Sequence, residues 1–225
     1  MALGAAGAEV ILAARSPQEM HEAAAEICEA GGKASGVALD VGDLDATSAW
    51  LEQPPAFDIL VNNAGTNRPA AFLNTKATDY DFVFNVNVRA AFFVAQGVAR
   101  KLVREGRSGS IINVSSQMGH VGAARRTVYC ATKHAIEGMT KAMAAELGAH
   151  GIRVNTLCPT FIETPMTKPF FADNSFRDAV LGKLKLGRLG TPEDIMGAIV
   201  FLASDASALM TGSALMLDNG WTTTS

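Results

Sequence analysis

The chain has 225 residues, a formal net charge of -3 and a sequence pI near 5.8. That length suits one α/β core, and neither a basic field nor a like-charge block is present to hold nucleic acid. Cys28, Cys130 and Cys158 are odd in number and form no C-x-x-C pair, which argues against a disulfide framework or zinc site and for reduced, mostly buried thiols in a cytoplasmic protein.

Val10 to Ala14 is a short apolar run that predicts a strand, and Arg15-Ser16-Pro17 then opens an amphipathic helix that stops at Gly31-Gly32. Ala34 to Leu39 reads as the next strand. Phe57 to Val61, followed by an Asn-Asn-Ala-Gly turn, reads as a buried parallel strand, as does Ser110 to Val114. Between them Thr78 to Arg104 reads as one long helix. Thr127 to His150 is a second long helix ended by Gly151, with the strand Ile152 to Leu157 after it. Thr191-Pro192-Glu193-Asp194 is a capped helix start with proline at the first helical position, and Ala214 to Leu217 closes the sheet. Strands alternating with helices predict a single α/β domain over 1–225, a doubly wound parallel sheet in three α/β/α layers, with ligands beyond the carboxyl ends of the strands. No uninterrupted apolar run reaches membrane-spanning length and no secretory pattern opens the chain, so a soluble protein without a membrane partner is expected.

The residues that carry chemistry are Ser116, Tyr129 and, four positions on, Lys133. A free phenol titrates near pH ~10 and is a poor base. A lysine one helical turn away shares its face and favours the phenolate, while a serine hydroxyl can hold a substrate oxygen beside the phenol.

Around this group stand Asn62-Asn63-Ala64-Gly65, Val86-Asn87-Val88, Ser115-Ser116, Tyr129-Cys130-Ala131-Thr132-Lys133, Pro159 to Met166 and Asp218-Asn219-Gly220-Trp221. In that order and spacing they resemble the short-chain dehydrogenase/reductase family from about Ala5 to the C-terminus. The resemblance implies a Rossmann-like fold and a catalytic tetrad of Asn87, Ser116, Tyr129 and Lys133. Tyr129 is then expected to exchange a proton with an alcohol or carbonyl while hydride passes to or from a nicotinamide, and Lys133 to depress the tyrosine pKa and hold the nicotinamide ribose. Asn87 is expected to anchor a proton-relaying water.

Members of the family open with a strand and a glycine-rich turn for the pyrophosphate, and both are missing here; Met1 to Ala8 matches the end of the helix that follows, so roughly two dozen residues are absent by resemblance. Either the polypeptide starts upstream, or the chain is a truncation that folds poorly or binds cofactor weakly, a catalytically impaired nucleotide- or partner-binding scaffold.

An acidic residue usually ends the second strand of NAD enzymes of this fold. Ala14 stands there instead, and the neighbouring Arg15 can pair with a 2′-phosphate, so NADP(H) is preferred with NAD(H) as the alternative. By resemblance Asp40 and Val41 frame the adenine, Asn62, Asn63, Ala64 and Gly65 run beside the adenosine ribose, and Pro159, Ile162 and Thr164 flank the nicotinamide together with Tyr129 and Lys133. Thr160 replaces the usual glycine of that segment and adds bulk near the ring. Specificity is expected from Gln117 to Arg126 and from a lid over 163–190. Phe170, Phe171 and Phe176 either pack the lid down or line an apolar pocket, and Gln117, His120, Arg125 and Arg126 are candidates to receive a polyol or carboxylate. The substrate is a small-molecule alcohol or ketone, with gluconate 5-dehydrogenases and 3-oxoacyl-carrier-protein reductases as the nearest look. No histidine stands in a ligand-like pair with cysteine or carboxylate, so no metal is expected. The helices at 78–104 and 127–150 resemble those that pair across subunits, implying a homotetramer or dimer.

Overall fold

The computed structural model describes residues 1–164 and 167–223. One helical turn, α1 (Ala2–Ala5), precedes β1 (Glu9–Ala14), which is followed by α2 (Pro17–Glu29) and β2 (Lys33–Ala38). Ser16 caps α2 by accepting from the Glu19 amide, with Pro17 at the first helical position, and Gly31 takes the left-handed backbone (φ 86°) that returns the chain to β2. Then come α3 (Leu44–Leu51), β3 (Ile59–Asn62), α4 (Ala77–Phe84), α5 (Ala91–Arg104), β4 (Gly109–Val114), α6 (Thr127–Leu147), β5 (Ile152–Pro159), α7 (Asn174–Leu181), α8 (Pro192–Ala203) and β6 (Ala214–Leu217).

All pairings between these strands are parallel, and they form two ladders: β1 with β2, and β3-β4-β5-β6. The layers follow from the strand period. On β4, Ile111 faces a core built with Ala95, Val98, Ala99 and Leu102 of α5 and Ala144 of α6, whereas its neighbour Ile112 faces Leu202 and the α8 residues Ile195 and Ile199. On β3, Leu60 joins the first core and Ile59 and Val61 the second. Helices therefore cover both faces of the larger sheet, as expected for a doubly wound architecture. Strands β1 and β3 share no ladder, and the apolar residues Val10, Ile11, Leu12, Leu60 and Val61 stay only half-buried, unlike Ile111 and Ile112 in the interior of the larger sheet.

Two expectations change. The stretch from 78 to 104 is not one α-helix, because a π turn at Asn85–Ala90 separates α4 from α5. Moreover, Ala77–Arg104 contains an 18-residue window with a mean hydropathy of 1.3, so the stretch is long and apolar enough by those measures to cross a membrane even though charged residues interrupt it. Its buried stripe of Ala91, Ala95, Val98 and Leu102 packs on the sheet, and a core helix of that kind passes the same test.

Candidate active site

Strand β4 ends at Val114 and delivers Ser115 and Ser116 to the carboxyl edge of the sheet. Ser116 is extended (φ -170°, ψ 160°), and its Oγ accepts from the Met118 amide at 3.1 Å, which starts a short turn over Gln117–Gly119. Helix α6 then sets Tyr129 and Lys133 one turn apart. The Ser116 hydroxyl hydrogen-bonds with the Tyr129 phenol, and Lys133 Nζ lies 5.5 Å from the centre of the tyrosine ring. That amine is buried and donates to the Val114 carbonyl at 2.8 Å.

The electrostatics differ from the simple picture of a lysine that pulls a phenol down. Burial raises the Tyr129 pKa above its ordinary value, and what offsets this is the Ser116 hydrogen bond and then the charge of Arg126. Lys133 is itself pushed down to about 8 by burial, and its amine sits over the ring face, tied to a carbonyl, not at the phenol oxygen. The phenol is thus held protonated at neutral pH, next to an amine that gives up its proton unusually easily. Arg126, considered above only as a substrate contact, is the nearby cation that acts on Tyr129.

Asn87 lies within the π turn and is buried. Its Oδ1 accepts from the Thr66 amide at 2.7 Å, while Nδ2 donates to the Thr66 carbonyl at 2.9 Å and to Thr132 Oγ1 at 3.1 Å. The side chain therefore pins the loop after β3 to the helix that carries Tyr129 and Lys133. A Cβ on Gly65 would lie 3.6 Å from Asn87 Oδ1 and 4.0 Å from Lys133 Nζ, so the backbone there passes close to both residues.

The remaining cofactor candidates fall at strand ends. Arg15 is exposed just beyond β1. Asp40 follows β2 and accepts from the Gly42 amide at 2.9 Å, forming a tight turn with Val41. Asn62 does not offer its side chain: Nδ2 donates to the Ala91 carbonyl and to Asn113 Oδ1, both at 3.0 Å, and Asn113 in turn donates to Thr140 Oγ1. It clamps β3 to α5 and β4, leaving Asn63, Ala64 and Gly65 as the exposed or half-buried backbone of the turn. Pro159 ends β5. Ile162 bridges to Gly190, and its carbonyl, with the Thr164 amide, is held by Thr167 Oγ1 at 2.6 and 2.9 Å. Met166 lies outside the described residues.

Phe171 and Phe176 of the segment 163–190 pack inward. Phe161 meets Phe171, Phe176 and Trp221 at ring-centre distances of 5.6 to 5.8 Å, over Val180, Leu184 and Leu189. Phe171 and Phe176 therefore hold the lid down; the side chain of Phe170 is outside the described set. Gln117 is buried, and Arg125 adopts a left-handed backbone (φ 62°).

His120 corrects the expectation that no histidine meets a cysteine or carboxylate. Its Nε2 lies 3.4 Å from both Glu137 Oε1 and Cys158 Sγ. Burial and the Glu137 carboxylate push the Cys158 thiol up to about 12.

Residues 1–222 match the family model described as enoyl-(acyl carrier protein) reductase. An L-xylulose reductase of Bos taurus is 40% identical over 223 residues, covering 99% of this chain and 90% of that protein. A 3-oxoacyl-[acyl-carrier-protein] reductase of Thermotoga maritima is 39% identical over 218 residues, covering 95% and 87%. The crystal structure of a gluconate 5-dehydrogenase from Burkholderia cenocepacia in complex with NADP and tartrate superimposes with a TM-score of 0.94 at 32% identity, over 100% of this chain and 89% of that one. Sheet, motif order and these relatives agree: the chain belongs to the short-chain dehydrogenase/reductase family of oxidoreductases.

Proposed function

We propose that the protein is an NADP(H)-dependent oxidoreductase that interconverts a secondary alcohol and a ketone on a polyol, ketose or sugar acid. The observation that carries this reading is the Ser116 hydroxyl bonded to the Tyr129 phenol beside the buried Lys133 amine. The assembled group also speaks against a non-catalytic scaffold.

The residues fit a dinucleotide at two places. Arg15 offers an exposed guanidinium at the end of β1, and Thr160, next to Pro159, has a buried hydroxyl oxygen with no partner. When bound, the nicotinamide supplies or accepts the hydride. Ser116 Oγ orients the substrate oxygen, and Tyr129 Oη gives it a proton in reduction or takes one in oxidation. Burial keeps the phenol protonated at neutral pH, the form that donates to the carbonyl oxygen in reduction. Lys133, with a pKa near 8, is a nearby amine that can exchange a proton with the site, although it lies over the ring and bonds to the Val114 carbonyl, not to Oη. Asn87 positions both by holding Thr66 against Thr132.

A polar substrate is favoured over a 3-oxoacyl thioester because Phe161, Phe171 and Phe176 are consumed by lid packing, while Arg126 stands at the tyrosine. The relatives include an L-xylulose reductase and a gluconate 5-dehydrogenase, which point the same way. The test is NADPH oxidation with a panel of pentuloses, hexuloses and keto sugar acids against a 3-oxoacyl thioester. Turnover on the thioester alone overturns the substrate reading. In the same assay Arg15→Ala should raise the KM for NADPH about 10- to 100-fold, the value of a charge-assisted phosphate contact, and leave that for NADH unchanged; equal effects on both would remove Arg15 from the cofactor site.

The protein is further proposed to be a homo-oligomer built on α4 and α5. Tyr80, Phe82, Phe92 and Phe93 are exposed along these helices, an apolar face suited to a second copy. Light scattering at micromolar protein should give a dimer or tetramer, and Phe93→Glu should shift it toward monomer. A monomeric wild type would refute the assignment.

A further inference from the structure

We propose that His120 Nε2, Glu137 Oε1 and Cys158 Sγ form a binding site for a zinc-class transition-metal dication, separate from the hydride-transfer chemistry. The three residues come from three segments: the turn after β4, the middle of α6 and the end of β5. Their ligand atoms lie 3.4 Å (His120 to Glu137), 3.4 Å (His120 to Cys158) and 3.2 Å (Cys158 to Glu137) apart. A tetrahedral zinc with bonds of about 2.3 Å to sulfur and about 2.0 to 2.1 Å to nitrogen and oxygen spaces its ligand atoms about 3.3 to 3.6 Å apart. The cluster already has nearly that spacing, so binding requires shifts of only a few tenths of an ångström.

The donor set selects the ion. Thiolate and imidazole with one carboxylate suit zinc, cobalt or copper and disfavour magnesium and calcium, which want all-oxygen sites. The surroundings behave as outer partners of a metal site. Glu137 Oε2 is fixed by the Thr156 hydroxyl at 2.9 Å, leaving Oε1 to point at the sulfur. Ser115 Oγ is buried without a partner of ordinary hydrogen-bond geometry, yet stands close enough to Cys158 to favour the thiolate. Gly119 is pressed onto the group: a Cβ there would lie 2.9 Å from Ser115 Oγ and 3.2 Å from Glu137 Cγ.

In the metal-free form the thiol donates to Glu137 Oε1. On binding, the S–H bond breaks, its proton leaves to solvent, and lone pairs of sulfur, carboxylate oxygen and imidazole nitrogen are shared with the dication. Cys158 and Glu137 are buried, whereas the His120 side chain is 31% exposed, so the ion enters from the histidine side and a water completes the fourth position. Once bound, the ion ties together the segments that carry Ser116, Lys133 and Pro159.

The test is titration of the untagged full chain with Co²⁺, read by absorbance. One equivalent should produce the intense visible bands of a four-coordinate ion together with a sulfur-to-cobalt charge-transfer band, both removed by added Zn²⁺. Zn²⁺ alone should raise the melting temperature, since it binds only the folded form. His120→Ala should weaken binding at least tenfold, roughly as for loss of one metal-supporting group, and Cys158→Ser should abolish the charge-transfer band. His120 is partly exposed, so its variant keeps the test decisive if Cys158→Ser folds poorly. Absence of saturable Co²⁺ binding, bands without sulfur character, or undiminished affinity in His120→Ala would each overturn the proposal.

Discussion

Replacing Tyr129 by Phe is expected to lower the turnover of NADPH-linked carbonyl reduction by about 10²- to 10⁴-fold, the usual share of a positioned proton donor. The ring remains, so its packing and the 5.5 Å approach of Lys133 Nζ survive, and only the Oη proton and its bond to Ser116 are lost. One hydrogen bond of this kind contributes on the order of 1 kcal/mol, so the melting temperature should move little. Steady-state kinetics beside thermal unfolding separates the two effects. Retained turnover would remove the tyrosine from the chemistry, whereas joint loss of turnover and fold would make it a structural residue. Ser116→Ala makes a useful companion, because it removes the group that orients the substrate oxygen and leaves the phenol in place.

Lys133→Met should lower turnover by at least roughly 10²-fold as well, and its stability profile carries a sharper signature. Burial lowers the folded-state pKa of this lysine from 10.5 to about 8, so between those values the unfolded chain binds more protons than the native one. Stability contributed through this group therefore rises with pH across that window: the full cost of keeping a buried ammonium applies below about pH 8 and is gone above about pH 10.5. The shift corresponds to about 3 kcal/mol, set against about 1.5 to 3 kcal/mol for the charged hydrogen bond to Val114. Near pH 7 the methionine variant should match or slightly exceed the wild type in denaturant stability. As pH rises toward 10 the wild type should gain on it by a few kcal/mol. A difference between the two that is independent of pH would show that the amine is not desolvated as the structure has it.

Much of this was legible in the chain. The strand from Ile152 declares itself by a run rich in β-branched residues between Gly151 and Pro159, Ala214–Leu217 by a short apolar run between Gly212 and Gly220, and the Thr191-Pro192 start shows the capping box with Asp194. The group Ser116, Tyr129 and Lys133 was readable because the motifs around it, from Asn62-Asn63-Ala64-Gly65 to Asp218-Asn219-Gly220-Trp221, stand in the order and spacing of a family; the Tyr-x-x-x-Lys spacing alone is too common to carry it. What escaped depends on contacts between distant segments. Helix α3 is eight residues long with only Thr47 and Leu51 buried, too little to register as a stripe. The amide of Asn62 looks in sequence like part of a cofactor turn, yet the cross-strand partner Asn113 claims it. His120, Glu137 and Cys158 lie 17 and 21 positions apart, so no spacing rule connects them; only the return of β5 beside α6 does. The effect of Arg126 on the phenol is equally invisible to a pattern that looks for lysine.

The π turn of Asn85–Ala90 has one more consequence. A turn that takes in one extra residue advances everything after it by about 100° around the axis, so α4 and α5 are out of phase with each other. Val83 of α4 and the Ala91, Ala95, Val98 stripe of α5 are each buried, and a single amide at the step meets Thr66 and Thr132. Deleting one residue from this segment would restore an uninterrupted screw, rotate Asn87 away from both threonines, and free the loop after β3 from the helix that carries the tyrosine. The misfit in helical winding thus fixes how the loop after β3 meets the helix that carries the tyrosine.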